Sequence, residues 1–503
     1  MNEGKKILNL LEDFKILRDP VSGIKRIKDK IRNLEQDTDY LKEWYEFSRE
    51  DGDVYPDQGL LTTPHDYLNF QSRQMLPQEK ILEALKIRFF LLEMSNHPYR
   101  IHFLRQVQNQ KFMAPGKVDC KAIEFAESSG LSLAIGDLGA SVVGSEHERQ
   151  SRTQRYAEGP FVKLGKRARI LFTGSDSPDV WNSSFAISTM AASFGLATLS
   201  RNGVMADIKR QTALAKKTFK KLKDLKKILL GKRADADEVY DFWKNNVGAV
   251  LEPRAEKALL RAEQLYEAGV RTFRIYSPEP GTEIITATKA IRKHFGKEVE
   301  IFAGQVVDVD QAKKVEEAGA DGIFVGIGGG GRCITGIRSG SAIDWPMLVW
   351  NLRGEINIPV IVEGGASDHV AVALLLGATG ISTSRVVSGG TIESPGGILY
   401  FSDQSGRLFK PYGGEASART KFLEGKILPF NITPFIEGET TRADLSYIKD
   451  APPTLAYNLH LLNEEAILSM VFRNVGSVGV LQNINPSPLK RVTNFNLFQS
   501  GTH

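Results

Sequence analysis

Eight short apolar runs, separated by amphipathic helical patterns, constrain the fold of this chain more than any other feature. They are Ile170–Thr173, Ala197–Ser200, Gly248–Leu251, Thr272–Tyr276, Glu300–Ala303, Gly322–Gly326, Pro359–Val362 and Gly380–Thr383. Each is continuously apolar rather than alternating, as parallel strands buried on both faces require. Between them, stretches such as Glu256–Ala268, Asp310–Ala318 and His369–Leu376 place apolar residues at helical spacing. Eight such units across roughly 215 residues predict an α/β fold of the (β/α)8 TIM-barrel type. In that fold the loops after the strands build the active site.

A chain of 503 residues is too long for one small core. The barrel is placed at 161–480, after a mainly helical N-terminal extension at 1–160 and before a C-terminal tail at 481–503. In the extension, Ile7–Leu17, Ile24–Leu34 and Glu79–Met94 carry helical periodicity. Asp51-Gly52-Asp53 and Tyr55-Pro56-Asp57 read as turns. No chemical motif is visible there. A further amphipathic helix is predicted near Leu461–Phe472.

Composition narrows the function class. A hydrophobic content of 42% with 25% charged residues is that of a soluble globular protein. A net charge of +5 suits small anionic ligands and does not single out nucleic acid. The helix after the second strand is strongly basic, with Lys209, Arg210, Lys216, Lys217, Lys220, Lys221, Lys223, Lys226 and Lys227; it reads as a solvated face. No apolar run approaches the ~20 residues that span a bilayer. The opening Met1-Asn-Glu-Gly-Lys-Lys leads into a charged amphipathic stretch and not a signal peptide, so a cytoplasmic location is expected. The two cysteines, Cys120 and Cys333, argue against a disulfide framework, and Cys120 is expected to be structural. The eight histidines show no paired metal-ligand spacing, so no zinc site is expected.

The most informative stretch follows the sixth strand: Gly326-Ile-Gly328-Gly-Gly330-Gly-Arg-Cys333-Ile-Thr335-Gly. Glycines there permit positive φ and close approach of the backbone to a ligand. A turn rich in exposed N–H and C=O groups can hold an anion or a cation. A cysteine at that end of a barrel is placed for chemistry, and Thr335 for activating water or orienting a leaving group. The residues alone also fit a phosphate-binding loop with an incidental cysteine, or a barrel loaded with FMN.

Residues 319–335, Gly-Ala-Asp-Gly-Ile-Phe-Val-Gly-Ile-Gly-Gly-Gly-Gly-Arg-Cys-Ile-Thr, resemble the catalytic-cysteine loop of the IMP dehydrogenase/GMP reductase family. The likeness covers roughly 165–480. It implies a monovalent cation, K+, on backbone carbonyls at Gly328, Gly330 and Cys333. Ile358-Pro-Val-Ile-Val-Glu363-Gly364-Gly365 resembles the segment whose acid holds the ribose and whose glycines hold the phosphate. Gly331, Ser384-Arg385 and Glu393-Ser-Pro-Gly396 resemble the rest of the phosphate site, and Tyr412-Gly413-Gly414 with Glu424-Gly425-Lys426 the segment flanking the purine. Arg201 falls near a basic residue of GMP reductases. Tyr276 and Ser277 stand where the NAD(P)H side of the site is expected.

The resemblance implies covalent chemistry: Cys333 attacks C2 of a purine nucleotide, GMP or IMP, with hydride exchanged with NAD(P)(H) and Thr335 and Glu424 as the proton-transfer pair. The regulatory insertion after strand two is missing, and Tyr412 to Glu424 is too short for a mobile flap. Both features point to the reductase branch and NADPH. A homotetramer is implied by the resemblance alone. Four departures stand out. Tyr276 replaces an acid, Glu363 replaces an aspartate, Phe324 replaces a basic residue and Gly331 replaces a serine. They keep open an IMP dehydrogenase-like or other cysteine-dependent reaction on a nucleotide, and a non-catalytic nucleotide-binding sensor or scaffold.

Overall fold

The computed structural model describes residues 72–144, 149–279, 281–326, 338–340, 343–426 and 451–492, with isolated positions between 43 and 48 and between 428 and 445. The predicted helices Ile7–Leu17 and Ile24–Leu34 and the two predicted turns lie outside the described residues.

The eight predicted strands form one parallel sheet. In chain order they are β1 (Phe172–Gly174), β2 (Ala197–Leu199), β3 (Val247–Leu251), β4 (Thr272–Tyr276), β5 (Glu300–Gly304), β6 (Gly322–Val325), β7 (Val360–Glu363) and β8 (Gly380–Thr383). Each pairs with its neighbour in sequence, and β8 pairs with β1 (Ile381 opposite Phe172, Thr383 opposite Gly174). A parallel bridge between Thr173 and Leu196 joins β1 to the start of β2, so the sheet closes into a barrel. Nearly every strand residue is buried, which explains the unbroken apolar runs. The first strand differs slightly from expectation. Ile170 belongs to a separate hairpin, Phe161–Leu164 with Arg167–Ile170, where it pairs with Phe161.

The outer helices follow the predicted periodicity. Ala255–Glu267 buries Ala258, Arg261, Ala262 and Leu265, a stripe at i, i+3, i+4 and i+7. The basic helix Ile208–Leu225 is capped by Asp207, whose carboxylate accepts from Lys209 N–H. It buries Gln211, Leu214, Ala215, Thr218, Leu222 and Leu225 and turns most of its lysines to the other face. Gln211 and Arg261 are part of a buried polar knot: Gln211 donates to the carbonyls of Leu199, Ser200 and Val250, and Arg261 donates to Gln211 and Glu252. The knot fixes the carboxyl end of β2.

Beyond the barrel, Gln78–Ser95 confirms the helix expected at Glu79–Met94. The C-terminal helix is longer than expected, Leu455–Val471. Its cap comes from far away: the buried Glu393 carboxylate accepts from Leu455 N–H at 3.0 Å and from the Thr454 hydroxyl, and Arg88 Nε lies 3.3 Å from it. A four-stranded antiparallel sheet runs Ser72–Met75, Leu399–Ser402, Leu408–Gly413, Thr440–Asp444. Leu138–Ala140 pairs with Leu489–Arg491. Among the described residues, no helix is long and apolar enough to cross a membrane.

The amino end of the barrel is held by Arg169, fully buried on the hairpin. Its guanidinium donates to Asn246 Oδ1, to the carbonyls of Leu164 and Asn245, and to both oxygens of Glu300 at 3.0 and 2.5 Å. Glu300 opens β5 and also accepts from the Thr272 hydroxyl on β4. Burial works against its ionisation, but the Arg169 charge and hydrogen bonds prevail and hold its pKa below the ordinary range. Replacing Arg169 alone by Leu strands a buried carboxylate, so a loss of about 3–5 kcal/mol in thermal unfolding is expected. Pairing it with Glu300→Leu should restore part of that loss. A loss under about 1 kcal/mol for the single variant would show that this pair does not hold the barrel.

Candidate active site at the carboxyl end of the barrel

The mouth is built from the residues that follow the strands, as the fold dictates. Glu363, the last residue of β7, is its centre. Its Oε2 accepts from Arg274 Nη2 and from Gln305 Nε2, both at 2.5 Å, and its Oε1 accepts from Ser382 Oγ at 3.2 Å. Arg274 rises from the middle of β4. Its guanidinium lies 3.9 Å from the Phe324 ring centre and 4.8 Å from that of Tyr276. The basic group expected on β6 is therefore present, but it comes from β4 and stacks on the aromatic ring that took its place. Arg274 Nε and Nη1 and Gln305 Oε1 are buried with no partner among the described residues.

A second group lies at the ends of β1 and β2. Asp176 Oδ1 accepts from the Ser200 hydroxyl and from Arg201 N–H at 3.1 Å, while its buried Oδ2 has no partner among the described residues. Arg201 Nη2 is 3.9 Å from Glu415 Oε1. Burial pushes the Glu415 carboxyl up to about 7, the nearby Asp176 adds to this, and Arg201 and Lys421 oppose it. Burial also raises Asp176, again against Arg201. Burial, together with the Glu415 and Glu363 carboxylates, pushes the Tyr276 phenol well above its ordinary value and keeps it neutral. Ser277 is tied down locally: its N–H donates to Gly304 O and its hydroxyl accepts from Glu279 N–H.

The third group lies beyond β7 and β8. Gly364 and Gly365 have φ of +91° and +76°, which favour glycine. Ser384 Oγ is 2.9 Å from the Tyr412 hydroxyl, and Arg385 opens the short helix Arg385–Ser388. The loop after Tyr412 is pinned by buried Asp179, which accepts from Gly413 N–H and from Arg419. Glu424 caps off this region, accepting from Gly203 N–H at 3.3 Å and pairing with Lys426 at 2.8 Å. Gly425 has φ of +75° and ends the helix Ala418–Leu423. Glu393 is engaged in capping the C-terminal helix.

Cys333, Thr335, Gly328, Gly330 and Gly331 lie outside the described residues. Their loop leaves from Gly326, where φ is +128° and a Cβ would sit 2.0 Å from the Glu363 carbonyl oxygen. Only glycine fits there, so the loop starts in contact with the end of β7. Glu363, Gly364, Gly365, Ser384, Arg385 and Tyr412 thus share one rim of the mouth, with Arg201, Tyr276 and Ser277 at or just after the ends of β2 and β4. Sequence reasoning missed Arg274, Gln305, Asp176 and Glu415. Arg274 carried a usable signal, because a charged residue inside a buried strand needs a partner. The others are ordinary loop residues until the fold brings them together.

Comparison with known proteins agrees with this arrangement. The model of the IMP dehydrogenase / GMP reductase domain matches residues 168–427. Inosine-5'-monophosphate dehydrogenase of Helicobacter pylori is 33% identical over 202 residues, 39% of this chain and 40% of that protein. The enzyme of that name from Aquifex aeolicus is 31% identical over 177 residues, 34% of this chain and 35% of its own length. Inosine-5'-monophosphate dehydrogenase 1 of Arabidopsis thaliana is 33% identical over 192 residues, 36% and 37% respectively. The matched stretch spans two-fifths or less of each of these relatives.

The raised Glu415 carboxyl has a consequence for stability. A group that binds its proton more tightly when folded stabilises the fold fully below its unfolded pKa, and that stability is lost as pH rises through about 7. Glu415→Gln should therefore flatten the fall in Tm between about pH 5 and pH 8. Parallel Tm profiles for wild type and variant would contradict this environment for Glu415.

Proposed function

The chain belongs to the IMP dehydrogenase/GMP reductase family, and on that premise we propose that it is a purine-nucleotide oxidoreductase of the reductase type. One observation carries the reading: Glu363, Gly364, Gly365, Ser384 and Tyr412 share one rim of the mouth, and the Glu363 backbone touches Gly326, from which the chain continues to Cys333.

In this reading the 5′-phosphate lies at the ends of β7 and β8. Gly364 and Gly365 offer backbone N–H groups, Ser384 a hydroxyl and Arg385 a guanidinium. Glu363 holds the ribose. Two of its acceptor positions on Oε2 are used by Arg274 and Gln305, but among the described residues Oε1 accepts only from Ser382, which leaves room for a ribose hydroxyl. Tyr412, Gly425 and the loop between them border the base.

The Cys333 thiolate forms a bond to C2 of the purine. In the reductive direction the C2–N bond breaks, ammonia leaves with its proton from the Thr335–Glu424 pair, and the C2–S bond breaks after hydride arrives at C2. Glu424 is suited to that role because Lys426 and Gly203 N–H hold it in place. Hydride donation is the chemistry that NAD(P)H supplies when bound, and Arg201, Tyr276 and Ser277 are the residues that would hold it. Arg201 Nε, buried with no partner among the described residues, gives that side a donor suited to a phosphate or hydroxyl oxygen. K+ would sit on the carbonyls of Gly328, Gly330 and Cys333. Work as a homo-oligomer in the cytoplasm belongs to the same proposal.

The short connection between Tyr412 and Glu424, filled by the helix Ala418–Leu423, favours the reductase over the dehydrogenase direction. The names of the matched relatives support a second reading, oxidation of IMP with NAD. The test is loss of NADPH absorbance with GMP and K+ present, run beside Cys333→Ala. Consumption is expected in wild type and should drop at least about 10³-fold in the variant. NADH formation from IMP and NAD, without NADPH consumption, would replace the first reading with the second. Silence in both assays, or full activity in Cys333→Ala, would overturn this function.

A further inference from the structure

The carboxyl pair Asp176–Glu415 has no counterpart in the roles assigned above. Asp176 is 5% exposed, and its Oδ2 is buried at the mouth with no partner among the described residues. Arg201 Nε, Asn202 Nδ2 and Asn182 Oδ1, after the same two strands, are likewise buried with no partner among the described residues. Buried polar atoms are rarely left unpaired unless something else completes them. Glu415 remains partly open, with an ion-pair neighbour only at 3.9 Å.

The position of the pair says what it would meet. Ser384, at the phosphate end, touches the Tyr412 hydroxyl. Glu415 is three residues further along, at most ~10 Å of chain away. Asp179 and Arg419 hold that stretch rigid from below. The Tyr276 ring lies 4.8 Å from the guanidinium of Arg274, the partner of Glu363, and burial with the Glu415 and Glu363 carboxylates pushes its phenol up. A nucleotide anchored by its phosphate at β8 and by its ribose at Glu363 therefore extends its base toward Glu415.

We propose that Glu415, positioned by Arg201 and backed by Asp176, reads the base and selects a 2-amino-6-oxopurine. Such a base offers two parallel N–H donors, at N1 and at the 2-amino group, which match the two oxygens of one carboxylate. A hypoxanthine base offers only the N1–H, so one acceptor stays unpaired and the discrimination follows from that. The inference rests on the nucleotide reading of the preceding subsection.

The test is calorimetric binding of GMP, IMP and NADPH separately to the full chain, without turnover, for wild type, Glu415→Gln and Asp176→Asn. Wild type should favour GMP over IMP by at least about tenfold. Glu415→Gln should weaken GMP at least about tenfold and IMP by less than about threefold, with NADPH unchanged. Asp176→Asn should move GMP in the same direction by a smaller factor. If either variant loses its cooperative thermal transition, the other carries the comparison. Equal GMP and IMP affinity, shifted equally by the variants, overturns the inference and leaves the nucleotide reading standing. An effect on NADPH alone overturns it by assigning the pair to the dinucleotide. Binding of neither nucleotide to wild type overturns both readings.

Discussion

The closed barrel depends on one buried ion pair, Arg169 with Glu300. A parallel barrel needs both ends covered, and its amino end has no functional loops to cover it. Here a hairpin does so, and Arg169 ties that hairpin to two strands by satisfying the start of β5 and the residues just before β3. All of its donors find acceptors, so the large desolvation cost of two buried charges is met by hydrogen bonds rather than by attraction alone. With that end fixed, the opposite end is free to carry loops chosen for chemistry.

The barrel was legible because its strands are buried on both faces. That burial forces unbroken apolar runs, and eight of them at regular spacing leave few alternatives. The helices were legible because each buries one stripe. What escaped notice was non-local. The helix Leu455–Val471 starts six residues earlier than its amphipathic part because a carboxylate from position 393 caps it. No local sequence signal marks such a cap. The strand Ser72–Met75 escaped for the same reason, since its partner Leu399–Ser402 is more than three hundred residues away.

The site was legible in part. Residues in glycine-rich or motif-like segments, such as Glu363, Gly364, Ser384 and Tyr412, announced themselves, and the structure brings them to one rim. Asp176, Gln305 and Glu415 did not, because a single acid or amide in a loop has no meaning until its neighbours are known. Tyr276 looked like a lost acid. In the structure, burial and the carboxyl groups of Glu415, Glu363 and Asp176 act together on the same phenol. The electrostatic character of the mouth is thus spread over several loops, and no single position reports it.

The stacking of Arg274 on Phe324 bears on how such a mouth can change over time. Glu363 has one cation beside it, Arg274, whose guanidinium stacks 3.9 Å from the centre of the Phe324 ring. An arginine at 324 would remove that ring and set two like charges side by side, and a chain with neither would leave Glu363 facing two neutral donors, Gln305 and Ser382. The identities at 274 and 324 therefore constrain each other. A substitution tolerated at one of them depends on what the other already is, so a survey of single replacements would label both positions immutable although the pair can be exchanged as a unit.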